Sequence, residues 1–184
     1  MFVGLSLAPS TASATVAEEL SIEELTSEAI LVVRARVAAQ YVVPDRGPRG
    51  QIYTRTELTV LDYLKGDGLR ALTVQQLGGQ YGDLEMRVTG NAALRPGDEV
   101  VVFLDHDPQM GLSYVIGLAQ GLFRVNRTAH TARVDRDVSG ISFYAVGAMP
   151  YALPTLVLDL ETLETRVRFE SGHVAGQRRW EVRP

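Results

Sequence analysis

Two neighbouring stretches set the terms on which this chain can fold. "ILVVRARVAAQYVV" (30–43) and "QIYTRTELTVLDYLKGD" (51–67) are rich in β-branched residues and alternate in polarity. In the first, Val33, Ala35, Val37 and Ala39 alternate with Arg34, Arg36 and Ala38. In the second, Ile52, Thr54, Thr56, Leu58 and Val60 share one face, opposite Tyr53, Arg55, Glu57 and Thr59. A period of two marks a strand with one face against a core. Between them, "PDRGPRG" (44–50) carries the Pro, Asp and Gly of a turn or mobile loop. The pair reads as an antiparallel hairpin with a long tip.

The strand signals continue. "RALTVQQL" (70–77), "RPGDEVVVFLD" (95–105) and "LSYVIGLAQGLFRV" (112–125), the last broken at Gly117 and Gly121, all read as strands. "TARVDRD" (131–137) is more polar and reads as an edge. Helices flank the strands. In "LSIEEL" (20–25) Ser21 and Glu24 have the spacing of a capping box and Leu20 and Leu25 that of a hydrophobic staple. In "DLETLETRVRFE" (159–170) Asp159 stands at a cap, with Leu160, Leu163 and Val167 at helical spacing. Strands and helices do not alternate, which argues against a doubly wound parallel sheet. The expected fold is mainly β, an antiparallel OB-like barrel with short flanking helices, with a β-sandwich as the alternative.

A chain of 184 residues suits one β-rich domain, 15–170, followed by a flexible tail, 171–184. Residues 1–14 read as a signal peptide. Phe2 to Leu7 are an apolar run, Pro9 and Ser10 break it, and Ala12-Ser13-Ala14 is an A-x-A cleavage pattern that leaves Thr15 first, although no basic residue precedes the run. Export to the periplasm or medium is the expectation. No stretch approaches the ~20 apolar residues of a membrane span. Net charge is −4, and no basic run suggests nucleic acid or anionic lipid. Cysteine is absent, which excludes disulfides, thiolate metal sites and a cysteine nucleophile. Lys65 is the sole lysine.

The Gly-rich "QQLGGQYGDLEMRVTG" (75–90) lacks the lysine and hydroxyl of a P-loop and the spacing of a dinucleotide fingerprint. Its glycines fit a tight turn or bulge, and Asp83 to Val88 reads as a strand. Gln80, Tyr81 and Arg87 are the candidate binding residues on this loop, because function concentrates on loops held by a rigid scaffold. "DHDP" places His106 between Asp105 and Asp107, a mix that can ligate a metal, but neighbouring strand residues point to opposite faces. His130 and His173 lie far away in sequence, and no G-x-S-x-G elbow is present. Trp180, beside Arg178 and Arg179, is the aromatic of the tail. No catalytic residue, metal ligand set or cofactor is assigned.

The order of these pieces, "SIEEL", "ILVVRARV", "VLDYLKGD", "LTVQQLGGQYGDLEMRVTG", "PGDEVVVFL" and "YVIGLAQGLFRV", over about residues 18–126, resembles a functionally uncharacterised group of exported β-rich bacterial proteins of myxobacterial type. It is similar, more distantly, to netrin-like barrels such as the tissue inhibitors of metalloproteinases. That resemblance implies an OB-type barrel with packed helices and a non-enzymatic binding role. The inhibitors present an N-terminal cysteine to the protease zinc, and this chain has none, so their mechanism does not carry over. The expected function is an exported, non-catalytic module that binds an exported peptidase or envelope protein. Three alternatives stay open: a hydrolase or metal-assisted enzyme using His106 with Asp105 or Asp107, a structural envelope protein that self-associates through edge strands, and a small-molecule site in the barrel mouth.

Overall fold

The computed structural model describes residues 15–44, 50–144 and 149–172. The expected signal peptide, the hairpin tip at 45–49, and His173 and Trp180 in the tail lie outside the described residues. In chain order the elements begin with β1 (Thr15–Glu18), α1 (Ile22–Glu28), β2 (Leu31–Pro44), β3 (Ile52–Lys65) and β4 (Ala71–Leu77). A small hairpin follows, β5 (Gly79–Tyr81) and β6 (Leu84–Met86), then β7 (Glu99–Asp107) and β8 (Leu112–Val115). A 3-10 turn (Leu118–Gly121) leads to β9 (Leu122–Arg127), β10 (Ala132–Arg136), β11 (Ile141–Tyr144), β12 (Leu156–Asp159) and α2 (Leu160–Glu170). The protein is mainly β.

One large sheet has the order β12-β10-β9-β7-β2-β3-β4-β8, and β8 pairs again with β7. The N-terminal half of β7 pairs with β9 and its C-terminal half with β8. The pairings β7-β2-β3-β4-β8 therefore return to β7. The expectation of an all-antiparallel sheet is corrected here: β4 and β8 run parallel, as do β1 and β11. The reason for the first is arithmetic. A closed circuit with an odd number of strands cannot alternate direction throughout, and β4–β8 is where the mismatch falls.

Side chains inside this circuit form one core, from Val33, Ala35 and Val37 of β2, Leu58 of β3, Leu72 and Val74 of β4, and Val100, Val102 and Leu104 of β7. The opposite face of β7 and β9, with Val101, Phe103, Phe123 and Val125, packs beneath α1 and α2. The helical spacing read for α2 holds, since Leu160, Leu163 and Val167 are all buried there. Ser21 and Glu24 make the capping box, with Glu24 N–H donating to Ser21 Oγ and Ser21 N–H to Glu24 Oε2. The other end of α1 has no basic residue of its own. Lys65 supplies one from β3, donating to the carbonyls of Thr26 and Ser27 at 2.6 and 3.2 Å.

Three local expectations are corrected. The segment 131–137 is not an edge: β10 lies between β9 and β12, with Val134 and Arg136 buried. Asp159 stands at the N-cap of α2, yet its side chain makes no capping bond. It is drawn instead toward Arg133, its cross-strand partner, at 3.5 Å. Ala39 does not continue the face of Val33, Ala35 and Val37, because the register shifts between Val37 and Ala39. A bulge there reverses the alternation.

Candidate functional site

The bulge determines what lies at the far end of the β2–β3 hairpin. Beyond it the even residues of β2 take the face of Thr56 and Thr54, with Gln40 opposite Thr56 and Val42 opposite Thr54, and Gln40 stays exposed at this open end. The β5–β6 hairpin sits over this end. It is fixed by Gly78 N–H donating to Ile52 O at 2.7 Å and by Thr54 Oγ1 donating to Gly78 O at 2.8 Å. Asn91 Nδ2 donates to Leu77 O at 2.7 Å from the segment that follows the hairpin. The glycine reading holds. Gly78 and Gly79 have φ of +107° and +138°, and a Cβ on Gly79 would stand 2.7 Å from Thr54 Oγ1. Only glycine fits there without displacing a neighbour.

The three residues singled out on this loop are on the outside of the hairpin. Gln80 pairs with Glu85 and Tyr81 with Leu84 across the two strands. Tyr81 is 51% and Leu84 64% exposed, so the hairpin ends in an exposed aromatic–aliphatic pair. Arg87 folds back on Glu85, 2.6 Å away, and is likewise exposed. Gln80, Tyr81 and Arg87 thus share one small hairpin, and none of them faces inward.

Beneath the hairpin is a cavity of about 250 Å³, whose lining includes Gln40, Gln76, Asn91, Arg95, Met86 and Val88. Sequence reasoning did not select these residues. Gln76 was within reach, since it continues the inward alternation of Leu72 and Val74 along β4; Gln40 was not, because only the bulge brings it to the face of Thr56. A second cavity of about 140 Å³ shares Asn91 and Arg95 and adds Arg124, Asp135 and Asp137. Arg124 is tied to Asp98 at 2.9 Å. The Asp137 carboxyl is held below its usual range by hydrogen bonding to Ser139, with Arg124 and Arg95 adding to the effect.

His106 is differently occupied. Its Nδ1 lies 3.0 Å from Oγ of Ser113, which is fully buried. Asp105 accepts from the His106 backbone N–H, and Asp107 accepts from the N–H groups of Gln109 and Met110. These carboxylates hold a turn rather than converge on the imidazole. Among the described residues no three His, Asp or Glu side chains gather in a way that could hold a metal ion. His130 is exposed in the β9–β10 connection.

Two further polar groups are structural. A ladder crosses the outer face of the sheet: Glu99 pairs with Arg127 at 2.6 Å and Arg34 at 3.1 Å, while Arg168 pairs with Asp62 and Glu164. Arg34 Nε and Glu164 Oε1 lie 3.0 Å apart but out of hydrogen-bond alignment, so that link is Coulombic. The Arg127 guanidinium, with help from Arg34, holds the Glu99 carboxyl below the usual carboxylate range against the opposing effect of burial. Arg136 is buried, donates to Leu20 O at 3.1 Å and stacks on Phe123, and burial lowers its pKa. Gln120, 1% exposed, accepts from Leu20 N–H at 2.8 Å and donates to Glu18 O at 3.0 Å. Together these two residues clamp the segment between β1 and α1.

Among the described residues no helix is long and apolar enough to cross a membrane. The chain matches no protein-family model and no curated protein.

Proposed function

We propose that this chain is an exported, non-catalytic binding module built on an OB-type barrel, and that the β5–β6 hairpin is its contact surface for an exported peptidase or envelope protein. The barrel reading is supported by the strand circuit β7-β2-β3-β4-β8, whose five strands match the strand number of the OB-type Greek-key barrel. The observation that carries the binding reading is the hairpin itself. Its base is locked to β3 while Tyr81 and Leu84 stand exposed at its end. A rigid aromatic presented this way loses little conformational entropy on binding, and aromatic anchors carry much of the energy of protein interfaces. The His106 side chain, turned toward a buried serine, supports a structural role for that pair over a hydrolytic one.

The test compares the chain with a Tyr81→Ser, Leu84→Ser variant. Each is immobilised and exposed to periplasmic and secreted fractions of the source organism, and the bound proteins are identified by mass spectrometry. The expected result is a protein retained by the wild type and lost by a variant of unchanged thermal midpoint. If it is a peptidase, its activity is measured with and without the chain. Identical captures by both forms would overturn the hairpin reading.

A further inference from the structure

The cavity under the hairpin has a chemistry that the exposed hairpin residues do not use. Its amide side chains spend their donors on the protein. Gln40 Nε2 donates to Thr56 Oγ1 and Leu94 O, Gln76 Nε2 to Ala92 O, and Asn91 Nδ2 to Leu77 O. The Gln76 and Asn91 side-chain oxygens accept no hydrogen bond from the described residues, and they are not sealed from solvent. What these amides have left to offer the cavity is acceptors. A ligand that satisfies them must bring N–H or O–H donors.

One charge borders the same space. Arg95 lines this cavity and its neighbour, and it makes no ion pair with the described residues, whereas nearby Arg124 is engaged by Asp98. No carboxylate lines the cavity under the hairpin. A cationic ligand would meet only Arg95, so the donors belong to uncharged groups such as hydroxyls, and an anionic group completes the match with Arg95. Met86 and Val88 add an apolar wall suited to the C–H face of a ring. At about 250 Å³ the space lies below the ~300–1,000 Å³ typical of drug-sized ligand sites and holds about one ring, with the rest of any longer ligand outside it.

We propose that this cavity binds a polyhydroxylated carboxylic acid the size of one sugar ring: hydroxyls on the Gln76 and Asn91 oxygens, the carboxylate on Arg95. Such a group can be a free sugar acid or the end of an acidic polysaccharide. The site uses none of Tyr81, Leu84 or Arg87, so it stands or falls separately from the hairpin reading.

The test is an NMR titration of the isotope-labelled full chain with galacturonate, glucuronate, galactose and acetate. Saturable shifts of the Gln76 and Asn91 side-chain amides are expected with a uronate. Galactose, lacking the charge-assisted bond, should bind about tenfold more weakly, and acetate more weakly still. Arg95→Gln should reduce uronate binding to the galactose level while leaving galactose unchanged, which a general folding defect would not do. The Tyr81→Ser, Leu84→Ser variant should bind uronate as the wild type does. A short oligogalacturonide that binds more tightly than the monomer points to a polysaccharide end; equal affinity points to the free acid. No saturable shift with either uronate, or uronate binding unaffected by Arg95→Gln, overturns the proposal.

Discussion

Replacing Gln120 by leucine removes two hydrogen bonds while nearly preserving volume. Gln120 is 1% exposed, and its amide serves the Leu20 N–H and the Glu18 carbonyl at once. Leucine would leave both backbone groups facing a hydrocarbon side chain. A buried polar group left without its partner costs about 1–3 kcal/mol. Both bonds are only partly buried, which favours the lower part of that range and gives a loss of about 2–3 kcal/mol in total. That is a large share of the ~5–15 kcal/mol by which a typical domain is stable. Urea unfolding should show a lower midpoint at constant m-value, and hydrogen exchange should accelerate first at Leu20 and along β1. An unfolding free energy unchanged to within about 0.5 kcal/mol, the scatter of ordinary surface substitutions, would refute the clamp as a source of stability.

Three other outcomes are expected. Gly79→Ala should cost about 1–3 kcal/mol in unfolding free energy, because it combines a φ of +138° with a Cβ crowding Thr54. Gly82→Ala, with open space around it, is the milder control, and equal losses at both sites would remove the crowding argument. The folded-state pKa of Glu99 is below that of the unfolded chain, so its contribution is present above the ordinary carboxylate pKa of about 4.3 and is lost as pH falls below it. Glu99→Gln should therefore flatten stability on the acid side, measured as denaturant midpoint against pH, and an unchanged acid slope would count against the ladder. Lys65→Met should cost about 0.3–1 kcal/mol by removing the cation at the C-terminal end of α1. The deficit should shrink in high salt, and a salt-independent loss would implicate packing instead.

Local patterns carried the elements whose burial is simple. The capping box at Ser21 and the Leu160, Leu163, Val167 stripe were legible because each depends on residues three or four apart. The glycines at 78 and 79 were legible as geometry, since positive φ leaves a compositional mark. The short strands β1, β11 and β12 were not read. Four residues each give too little periodicity, and β1 pairs with β11 across more than a hundred positions. Gln120 illustrates the same limit. "GLAQGLFRV" looks like a core strand with a bulge, yet residues 118–121 form a 3-10 turn whose one glutamine is buried because it holds a distant segment. A polar residue in an apolar run is ambiguous until its partner is known, and that partner lies a hundred residues away.

The candidate site depends on a single extra residue. In a strand the side-chain period is two, so one inserted position moves everything beyond it to the other face. Up to Val37 the odd residues of β2 fill the core and pair opposite Leu58 and Val60. Past the shift, Ala39 stands opposite exposed Glu57, and Gln40 comes to face buried Thr56. Without the bulge, Gln40 and Val42 would lie on the outer face, and Ala39 and Tyr41 would point beneath the hairpin. The Gln40 amide would leave the cavity, and Val42 would no longer support Gly79. The hairpin base and the polar cavity are thus joint consequences of one backbone irregularity. No catalytic or ligand-binding motif marks it in the sequence, and a strict reading of the alternation hides it.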